Sequence, residues 1–242
     1  MAVRDLSEWA DVLMNDRAAL DRGSTVERVA DVLRSRITEG LFLPGRRLSE
    51  EELGGALGVS RNTLRETFRL LVHERLLAHE MNRGVFVRRL SADDVVDIFR
   101  IRRMLELAAM REAGELAGAA LERIRVAVEE AEKAAEAGGW LEVGTANMRF
   151  HRAIVALANS RRMTETARQV LAELRLAFHV MSSHREFHEP YLHRNRKIYH
   201  LLAAGDTVGA AKVLDEYLDA AEAQLLAAYA SAASDGSSRP TP

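Results

Sequence analysis

Residues 48–87, LSEEELGGALGVSRNTLRETFRLLVHERLLAHEMNRGVFV, decide the fold of the N-terminal part of the chain. The stretch begins with a capping box, in which Ser49 accepts from the backbone N–H three residues on and Glu52 reaches back. Gly58 tolerates the backbone of a tight turn. Ser60 then supplies a second cap. The pattern predicts two short helices joined by a tight turn.

The second of these helices has one apolar face and one basic face. Leu64, Phe68, Leu71 and Val72 recur at helical spacing and are predicted to be buried. The opposite face carries Arg61, Asn62, Arg65 and Arg69. A DNA-recognition helix has this arrangement, because its N-terminal end enters the major groove, where Arg and Asn bind base edges and phosphates.

A short extended pair closed by Asn82-Arg83-Gly84 follows, and it completes a winged helix-turn-helix whose partner is double-stranded DNA. We expect Arg61 and Arg65 to anchor the operator. Ser60 and Thr63 are expected to contact phosphate, and Gly84 to let the wing approach the DNA backbone closely. The alternative is an ordinary helical hairpin with a solvated basic face. The agreement of turn, caps, basic face and wing favours DNA binding. The predicted DNA-binding set is Ser60, Arg61, Asn62, Thr63, Arg65, Arg69, Arg83 and Gly84.

Composition limits the other possibilities. The chain has 242 residues, of which 48% are hydrophobic, so two domains with sizeable cores are expected. It has no apolar run long enough to span a membrane and no apolar signal core at its N-terminus. The absence of cysteine excludes disulfides and thiolate metal sites and fits a cytoplasmic location.

Charge is distributed unevenly along the chain. The net charge is only −2, yet residues 60–90 carry seven Arg against three Glu, which is +4. Residues 91–242 carry 19 Lys and Arg against 22 Asp and Glu, which is −3. A locally basic module on a mildly acidic body indicates a DNA-binding domain attached to a domain with a separate role.

The chain is predicted to be mainly α-helical and to have four parts. Residues 1–23 form an extension with one helix, over about residues 6–20. Residues 24–90 form the winged module with its small β-wing. Residues 91–230 lack strand-like alternation and are rich in helix formers, which predicts an all-helical bundle of about six or seven helices. Residues 231–242 are predicted to be a disordered tail.

These motifs resemble the GntR family of bacterial regulators. Three segments resemble the winged helix of that family. They are GLFLPGRRLSEEEL (40–53), LGVSRNTLRE (57–66) and NRGVFV (82–87). The helical part resembles the FadR-type effector domain, called FCD. Its similar segments are IRRMLE (101–106), NMRFH (147–151) and AAGDTVGAAKVL (203–214).

The resemblance covers about residues 24–228 and implies a one-component transcriptional regulator. Such proteins are homodimers that bind pseudo-palindromic operators and change their grip on DNA when a small metabolite enters the helical domain. One branch of the family carries an arginine that contacts DNA at the position of Glu51. A different base preference is therefore expected here.

The resemblance also implies a metal site, from which this chain departs. Many FCD domains hold a divalent metal with one Asp and three His. The first pair is Asp and His four apart, where this chain has Asn147 and His151. The other two family positions, eleven residues before and after Asp206, are Asn195 and Tyr217. Only His151 remains of the four ligands, and neutral Asn and phenolic Tyr are poor ligands for such metals. We therefore expect a pocket without metal or other cofactor.

The same positions are expected to converge as a small-molecule site, with Arg102 nearby. Arg102 and His151 are the candidate anchors for a ligand carboxylate or phosphate. Asn147, Asn195 and Tyr217 would then hydrogen-bond hydroxyl or carbonyl groups. The alternative is that these side chains only satisfy one another as a buried polar network.

Segment 179–200 is rich in histidine, and His184 and His188 are four residues apart. Pro190 is expected to end their helix. A cluster on a solvated face is the favoured interpretation, and a metal site is the alternative. The order H-E-x-x-H, which zinc peptidases require, is absent.

The predicted function is that of a DNA-binding transcriptional regulator, most simply a repressor. Its operator affinity would respond to an organic acid, sugar acid or acyl compound. A metal-dependent regulator with a non-standard ligand set and a ligand-independent DNA binder remain alternatives. An enzyme is not supported, because no nucleophile–base signature, phosphate-binding Gly loop or complete metal set is found in the sequence.

Overall fold

The protein is described here from a computed structural model that covers residues 13–14, 25–113, 118–181 and 183–237. The chain divides into two compact units, residues 1–89 and 90–242. Each unit is described by itself.

The first unit has three helices and a small sheet among its described residues. The helices are α1 (Thr25–Thr38), α2 (Glu50–Leu57) and α3 (Arg61–His73). The strands are β1 (Arg47–Leu48), β2 (Leu77–Glu80) and β3 (Gly84–Val87), in the order β1-β3-β2 with both pairs antiparallel. Strand β1 adds a third strand to the two that the sequence predicts.

The two predicted serine caps flank the turn between α2 and α3, but the described contacts of Ser49 do not include the return bond from Glu52 that a capping box requires. Ser49 accepts from the backbone N–H of Glu52 at 3.3 Å, and Ser60 accepts from that of Thr63 at 3.1 Å. Gly58 ends α2 in the left-handed region, with φ of 67°, where glycine carries no steric cost. These local contacts fix where α3 starts.

The core of the first unit lies between α1, α3 and the sheet. Leu64, Phe68 and Leu71 of α3 are buried, as predicted, but the prediction is wrong for Val72, which is only partly buried. A buried ion pair links α1 to the C-terminal end of α3, where the Arg34 guanidinium donates two hydrogen bonds of 2.8 Å to the Glu74 carboxylate. The pairing is bidentate, which fixes the geometry of both side chains.

The second unit is all-helical in its described part. Its helices are α4 (Ala92–Glu112), α5 (Gly118–Glu136), α6 (Trp140–Val155), α7 (Arg161–Ala177), α8 (His184–Ala203) and α9 (Thr207–Ser237). Short 3₁₀ turns follow α6 and α7, at Ala156–Ala158 and Phe178–Val180. Helix α6 contacts α4, α5, α7 and α8, and most of its residues are buried. The fold class predicted from the sequence is therefore confirmed.

The prediction that Pro190 ends a helix is wrong, because α8 passes through it. A proline inside a helix removes one backbone donor and leaves the carbonyl four residues earlier without its partner. That carbonyl belongs to Glu186, and it accepts instead from the side-chain amide of Gln224 in α9, at 3.2 Å. The oxygen of the same amide accepts from the Tyr191 hydroxyl at 2.8 Å. The hydrogen bond from Gln224 thus replaces the backbone bond that Pro190 cannot donate.

Helix α9 continues to Ser237, so residues 231–237 are helical and the prediction of disorder from residue 231 is wrong for them. Residues 238–242 lie outside the described residues, as does most of the predicted N-terminal helix, of which Leu13 and Met14 are described and helical. None of the helices in the described part of the chain combines the length and apolar character that a membrane span requires.

Candidate functional sites

The first candidate site is the basic face of α3, with the wing beside it. Arg61, Arg65 and Arg69 are exposed, as is Asn62. A groove of about 650 Å³ runs between α2, α3 and the sheet, and its lining includes these three arginines together with Gly84 of the wing. The structure thus brings the basic residues of the helix and the wing glycine to one surface.

The wing itself is a tight hairpin. Strands β2 and β3 pair from Leu77 opposite Val87 to Glu80 opposite Gly84. Asn82, at the tip, is left-handed with φ of 60°, a conformation that Asn tolerates better than most residues. Gly84 has φ of 109°, which a side chain would strain. The Arg83 guanidinium lies 5.4 Å from the centre of the Phe86 ring.

Each arginine of the predicted DNA-binding set has a carboxylate partner. Arg61 pairs with Glu51 at 3.2 Å and Arg65 with Glu50 at 3.6 Å. Arg69 pairs with Glu66, and Arg83 with Glu80. Exposed pairs of this kind contribute about 0–1 kcal/mol each, so phosphate can displace them at small cost. The acidic partners lower the net positive charge of this face but leave its arginines accessible to phosphate.

The two hydroxyl groups at the start of α3 are engaged with each other. The oxygens of Ser60 and Thr63 lie 2.8 Å apart, and Ser60 also caps the helix. Each hydroxyl keeps further hydrogen-bonding capacity for a phosphate oxygen.

Sequence analysis missed one basic residue of this face. Arg47 of β1 is exposed, lines the same groove, and its Nε lies 3.2 Å from the position that a Cβ on Gly84 would occupy. The adjacent arginines Arg46 and Arg47, just before the capping box, are the sequence feature that could have indicated this residue.

The second candidate site is a buried polar cluster inside the helical unit. All five residues predicted for the ligand site are buried: Arg102, Asn147, His151, Asn195 and Tyr217. Arg102 comes from α4, the next two from α6, and Asn195 and Tyr217 from α8 and α9. We name this set together with Glu106 the interior cluster.

The amides and the phenol of the interior cluster bond to one another. Asn195 donates to the Asn147 oxygen at 2.7 Å. The Asn147 amide nitrogen lies 3.0 Å from the Tyr217 hydroxyl. The ring centres of His151 and Tyr217 are 5.0 Å apart. The four family positions therefore meet in one place.

Glu106 is the residue of this cluster that the prediction left out of the site. Its carboxylate accepts from Arg102 Nε at 2.9 Å and lies 2.6 Å from His151 Nδ1. Burial alone would raise the pKa of Glu106, but His151 and Arg102 outweigh burial and hold that pKa below its usual range. The sequence could have indicated Glu106, because it follows Arg102 by four residues and the two side chains therefore share one helix face.

The protonation of His151 follows from its surroundings. Burial lowers the pKa of His151, and the nearby guanidinium of Arg102 lowers it further, against the opposing effect of Glu106. At neutral pH the ring is therefore uncharged, and Nδ1–H donates to Glu106. The other ring nitrogen, Nε2, then presents a lone pair.

Three buried atoms of the interior cluster have no hydrogen-bond partner among the described residues. They are Arg102 Nη2, His151 Nε2 and Asn195 Oδ1. A buried polar atom without a partner costs about 1–3 kcal/mol, so each of these atoms has hydrogen-bonding capacity that the described residues do not use.

The interior cluster does not fit a divalent metal ion. The described residues contain no group of three or more His, Asp or Glu side chains placed to hold one. Burial raises the pKa of the Tyr217 phenol, so a phenolate ligand is disfavoured. The Glu106 carboxylate is already engaged by Arg102 and His151, so it is not available as a metal ligand in this arrangement.

The prediction that the histidine-rich segment is a cluster on a solvated face is wrong for His188. His188 is 1% exposed and lies on the face of α8 that also carries Tyr191 and Asn195. Because Pro190 does not end the helix, the spacing of His188 and Asn195 puts both on the buried face.

Comparisons with known proteins identify the family of each unit. Residues 25–87 match the family of bacterial regulatory proteins called gntR, and residues 97–220 match the FCD domain. The Nta operon transcriptional regulator of Aminobacter aminovorans is 33% identical over 156 residues, covering 63% of this chain and 73% of that protein. The probable D-xylose utilization operon transcriptional repressor of Paenarthrobacter nicotinovorans is 31% identical over 141 residues, covering 58% of this chain and 62% of that protein.

A solved structure gives the same result at the level of the fold. The crystal structure of a GntR transcriptional regulator from Rhodococcus sp. RHA1 is 46% identical, covers 86% of this chain and all of its own, and has a TM-score of 0.81. The two domains, their order and the fold of each are therefore shared. The chain belongs to the GntR family of transcriptional regulators, in the FadR subfamily that carries an FCD domain.

Proposed function

We propose that this regulator is a cytoplasmic homodimeric repressor that leaves its operator when a small hydroxylated acid binds the interior cluster, with no metal involved. The observation that carries the ligand part is the set of three buried polar atoms without partners. The repressor assignment draws on the relative from Paenarthrobacter nicotinovorans, which is named a repressor.

The DNA part of the proposal rests on the face formed by α3 and the wing. Arg61 and Arg65 exchange their pairing with Glu51 and Glu50 for base edges and phosphates of the operator. A single winged module of this size buries little DNA surface, so two copies related by a twofold axis are needed to bind two half-sites specifically. A homodimer follows.

The ligand class follows from the polarity of the three atoms. Arg102 Nη2 is a donor and requires an acceptor, such as a carboxylate or carbonyl oxygen. His151 Nε2 and Asn195 Oδ1 are acceptors and require donors, such as hydroxyl groups. The earlier expectation that His151 binds the acid is replaced, because the neutral ring accepts from the ligand. A hydroxy acid or sugar acid supplies both kinds of group, whereas an unsubstituted fatty acyl chain supplies only the acceptor.

A thermal-shift screen tests the ligand class. We expect hydroxy acids to stabilise the full-length protein more than the matching unsubstituted acids or the matching neutral polyols. Operator release, measured by fluorescence anisotropy, should follow the same order. Equal stabilisation by all three groups would contradict the proposal.

Arg102→Lys tests the site. It keeps a positive charge beside Glu106, whereas Arg102→Ala would leave a buried carboxylate unpaired. We expect release by the best ligand of the screen to need about tenfold more ligand in Arg102→Lys, because one charge-assisted hydrogen bond is lost. Arg100→Ala, on the exposed side of the same helix, is the control. Unchanged release in Arg102→Lys would remove Arg102 from the site.

Elemental analysis tests the metal part. Protein purified without chelator should contain no stoichiometric zinc, nickel or manganese. A stoichiometric metal that disappears in His151→Ala would overturn that part and favour the metal-dependent alternative.

A further inference from the structure

A second buried group of basic side chains lies beside the interior cluster, at Gly144, Arg175 and His188. Arg175 of α7 is 7% exposed, and Gly144 is a buried residue of α6. Neither Arg175 nor His188 belongs to the set that the sequence predicted. The burial of His188 requires an explanation, because a buried polar group without a hydrogen-bond partner is costly.

The two side chains converge over the glycine. A Cβ built on Gly144 would lie 2.3 Å from Arg175 Nη1 and 2.8 Å from His188 Nε2. Because both nitrogens lie this near to the same Cβ position, Arg175 Nη1 and His188 Nε2 also lie close to each other. Any larger residue at 144 would occupy the place where the guanidinium and the imidazole meet.

His188 is held by aromatic rings rather than by hydrogen bonds. Its ring centre lies 5.0 Å from that of Phe187 and 5.4 Å from that of Phe178. Neither of its ring nitrogens has a hydrogen-bond partner among the described residues. A fully buried imidazole with two vacant nitrogens therefore lies beside a buried guanidinium.

The charges around this place are basic. Burial lowers the pKa of His188 to about 3, and Arg175, His184 and His151 act in the same direction. No acidic group of the described residues contributes to that shift. Gly144 lies three residues before Asn147 on the buried face of α6, so the place adjoins the interior cluster.

We propose that Arg175 and His188 form an anion subsite over Gly144 that binds the carboxylate or phosphate of the effector. Arg175 contributes the N–H donors of Nη1 at this place, and His188 offers one N–H, or two when an anion draws a proton to the ring. The hydroxyl groups of the same molecule then reach His151 and Asn195. The effector is thus an acid that carries its anionic group at one end and hydroxyl groups toward the other. This inference rests on the proposed function, in which the helical domain binds an effector.

The test uses the full chain with inorganic phosphate and acetate as probes, at constant ionic strength set by chloride. Calorimetry should show binding of at least one probe to the wild-type protein. Phosphate binding without acetate binding would assign the subsite to phosphorylated effectors, and the reverse would assign it to carboxylates.

Two variants and one control locate the binding. His188→Gln should weaken binding about tenfold, because it removes an imidazole that can carry charge. Gly144→Ala should weaken it similarly, although it removes no polar group, because its Cβ fills the meeting point. His193→Gln replaces an exposed histidine of the same helix and should bind as wild type. All three keep the DNA-binding face, so phosphate held there cancels in the comparison.

A measurement on the wild-type protein does not depend on how the variants fold. The probe should shift a histidine Cε1–H signal that is protected from a soluble paramagnetic agent, as expected of a buried ring. The proposal is overturned if neither probe binds, if no protected histidine signal moves, or if His188→Gln binds like His193→Gln.

Operator release separates this inference from the proposed function. If a hydroxy acid releases the operator equally from wild type and His188→Gln, the subsite is wrong and the proposed function stands. If the probes bind at His188 but no acid releases the operator, the subsite stands and the proposed function fails.

Discussion

Replacement of His188 should flatten the dependence of stability on pH. The pKa of His188 is lowered to about 3 in the folded protein, first by burial and then by Arg175, against 6.5 for the group without that environment. Between these values the unfolded chain binds a proton that the folded chain does not. Stability is therefore fully present above pH 6.5 and falls as the pH drops from 6.5 toward 3.

The size of the effect follows from linkage. A difference of one proton changes the free energy of unfolding by at most about 1.4 kcal/mol per pH unit. Between pH 7.5 and pH 5.0 the contribution of His188 amounts to a loss of about 2 kcal/mol. His188→Gln lacks the titrating group, so it should lose about 2 kcal/mol less than wild type over the same interval.

Urea unfolding at several pH values measures this difference. Protein concentration must be fixed, because subunit association contributes to stability. His193→Gln, on the exposed face of α8, controls for the loss of one imidazole. If His188→Gln and wild type lose stability in parallel between pH 7.5 and pH 5.0, the burial of an uncharged His188 is wrong.

Three further predictions concern single side chains. Arg65→Ala should weaken specific operator binding by about 1–3 kcal/mol at equal salt, whereas Arg125→Ala, in an exposed ion-pair group of α5, should bind normally; equal affinities in a titration would remove Arg65 from the interface. Glu51→Gln should strengthen operator binding about two- to fivefold, because it releases Arg61 from an exposed pair, and Glu39→Gln at the end of α1 is its control; weaker binding would instead show that Glu51 contacts the operator. Tyr217→Phe should destabilise the helical domain by about 1–3 kcal/mol in thermal unfolding, because the Asn147 amide loses a buried partner 3.0 Å away, and an unchanged midpoint would contradict that contact.

Local chemistry explains what the sequence predicted well. The caps at Ser49 and Ser60, the turn at Gly58 and the apolar spacing of Leu64 and Phe68 all act within a few residues. A reader of the sequence can therefore place α2, α3 and the wing. The two domains and their fold classes follow from the same kind of pattern, and the family match confirms them.

Contacts between distant residues explain what the sequence did not show. Pro190 ends a helix in most settings, but here Gln224 satisfies the carbonyl that the proline leaves free. Once α8 continues, His188 turns into the core, and nothing in its neighbourhood in sequence indicates this. Strand β1 is two residues long and exists only through its pairing with β3.

The interior cluster was predictable from the sequence only in part. The positions of Asn147, His151, Asn195 and Tyr217 came from the family resemblance, and the structure places them together. Their hydrogen bonds could not be predicted, because the tautomer of His151 depends on Glu106 in another helix. That dependence changed the proposed role of His151 from an anchor for the acid to an acceptor for a hydroxyl.

Selection of binding sites from random double-stranded DNA tests the central claim most directly. The full-length protein should enrich a pseudo-palindromic sequence with two half-sites about one helical turn apart, as a dimer with α3 in the major groove requires. The Arg65→Ala variant should enrich it weakly, with the loss confined to the base pairs that Arg65 contacts. Enrichment of no sequence above the starting pool, or equal enrichment by wild type and Arg65→Ala, would contradict the assignment of α3 as the recognition helix of an operator-binding regulator.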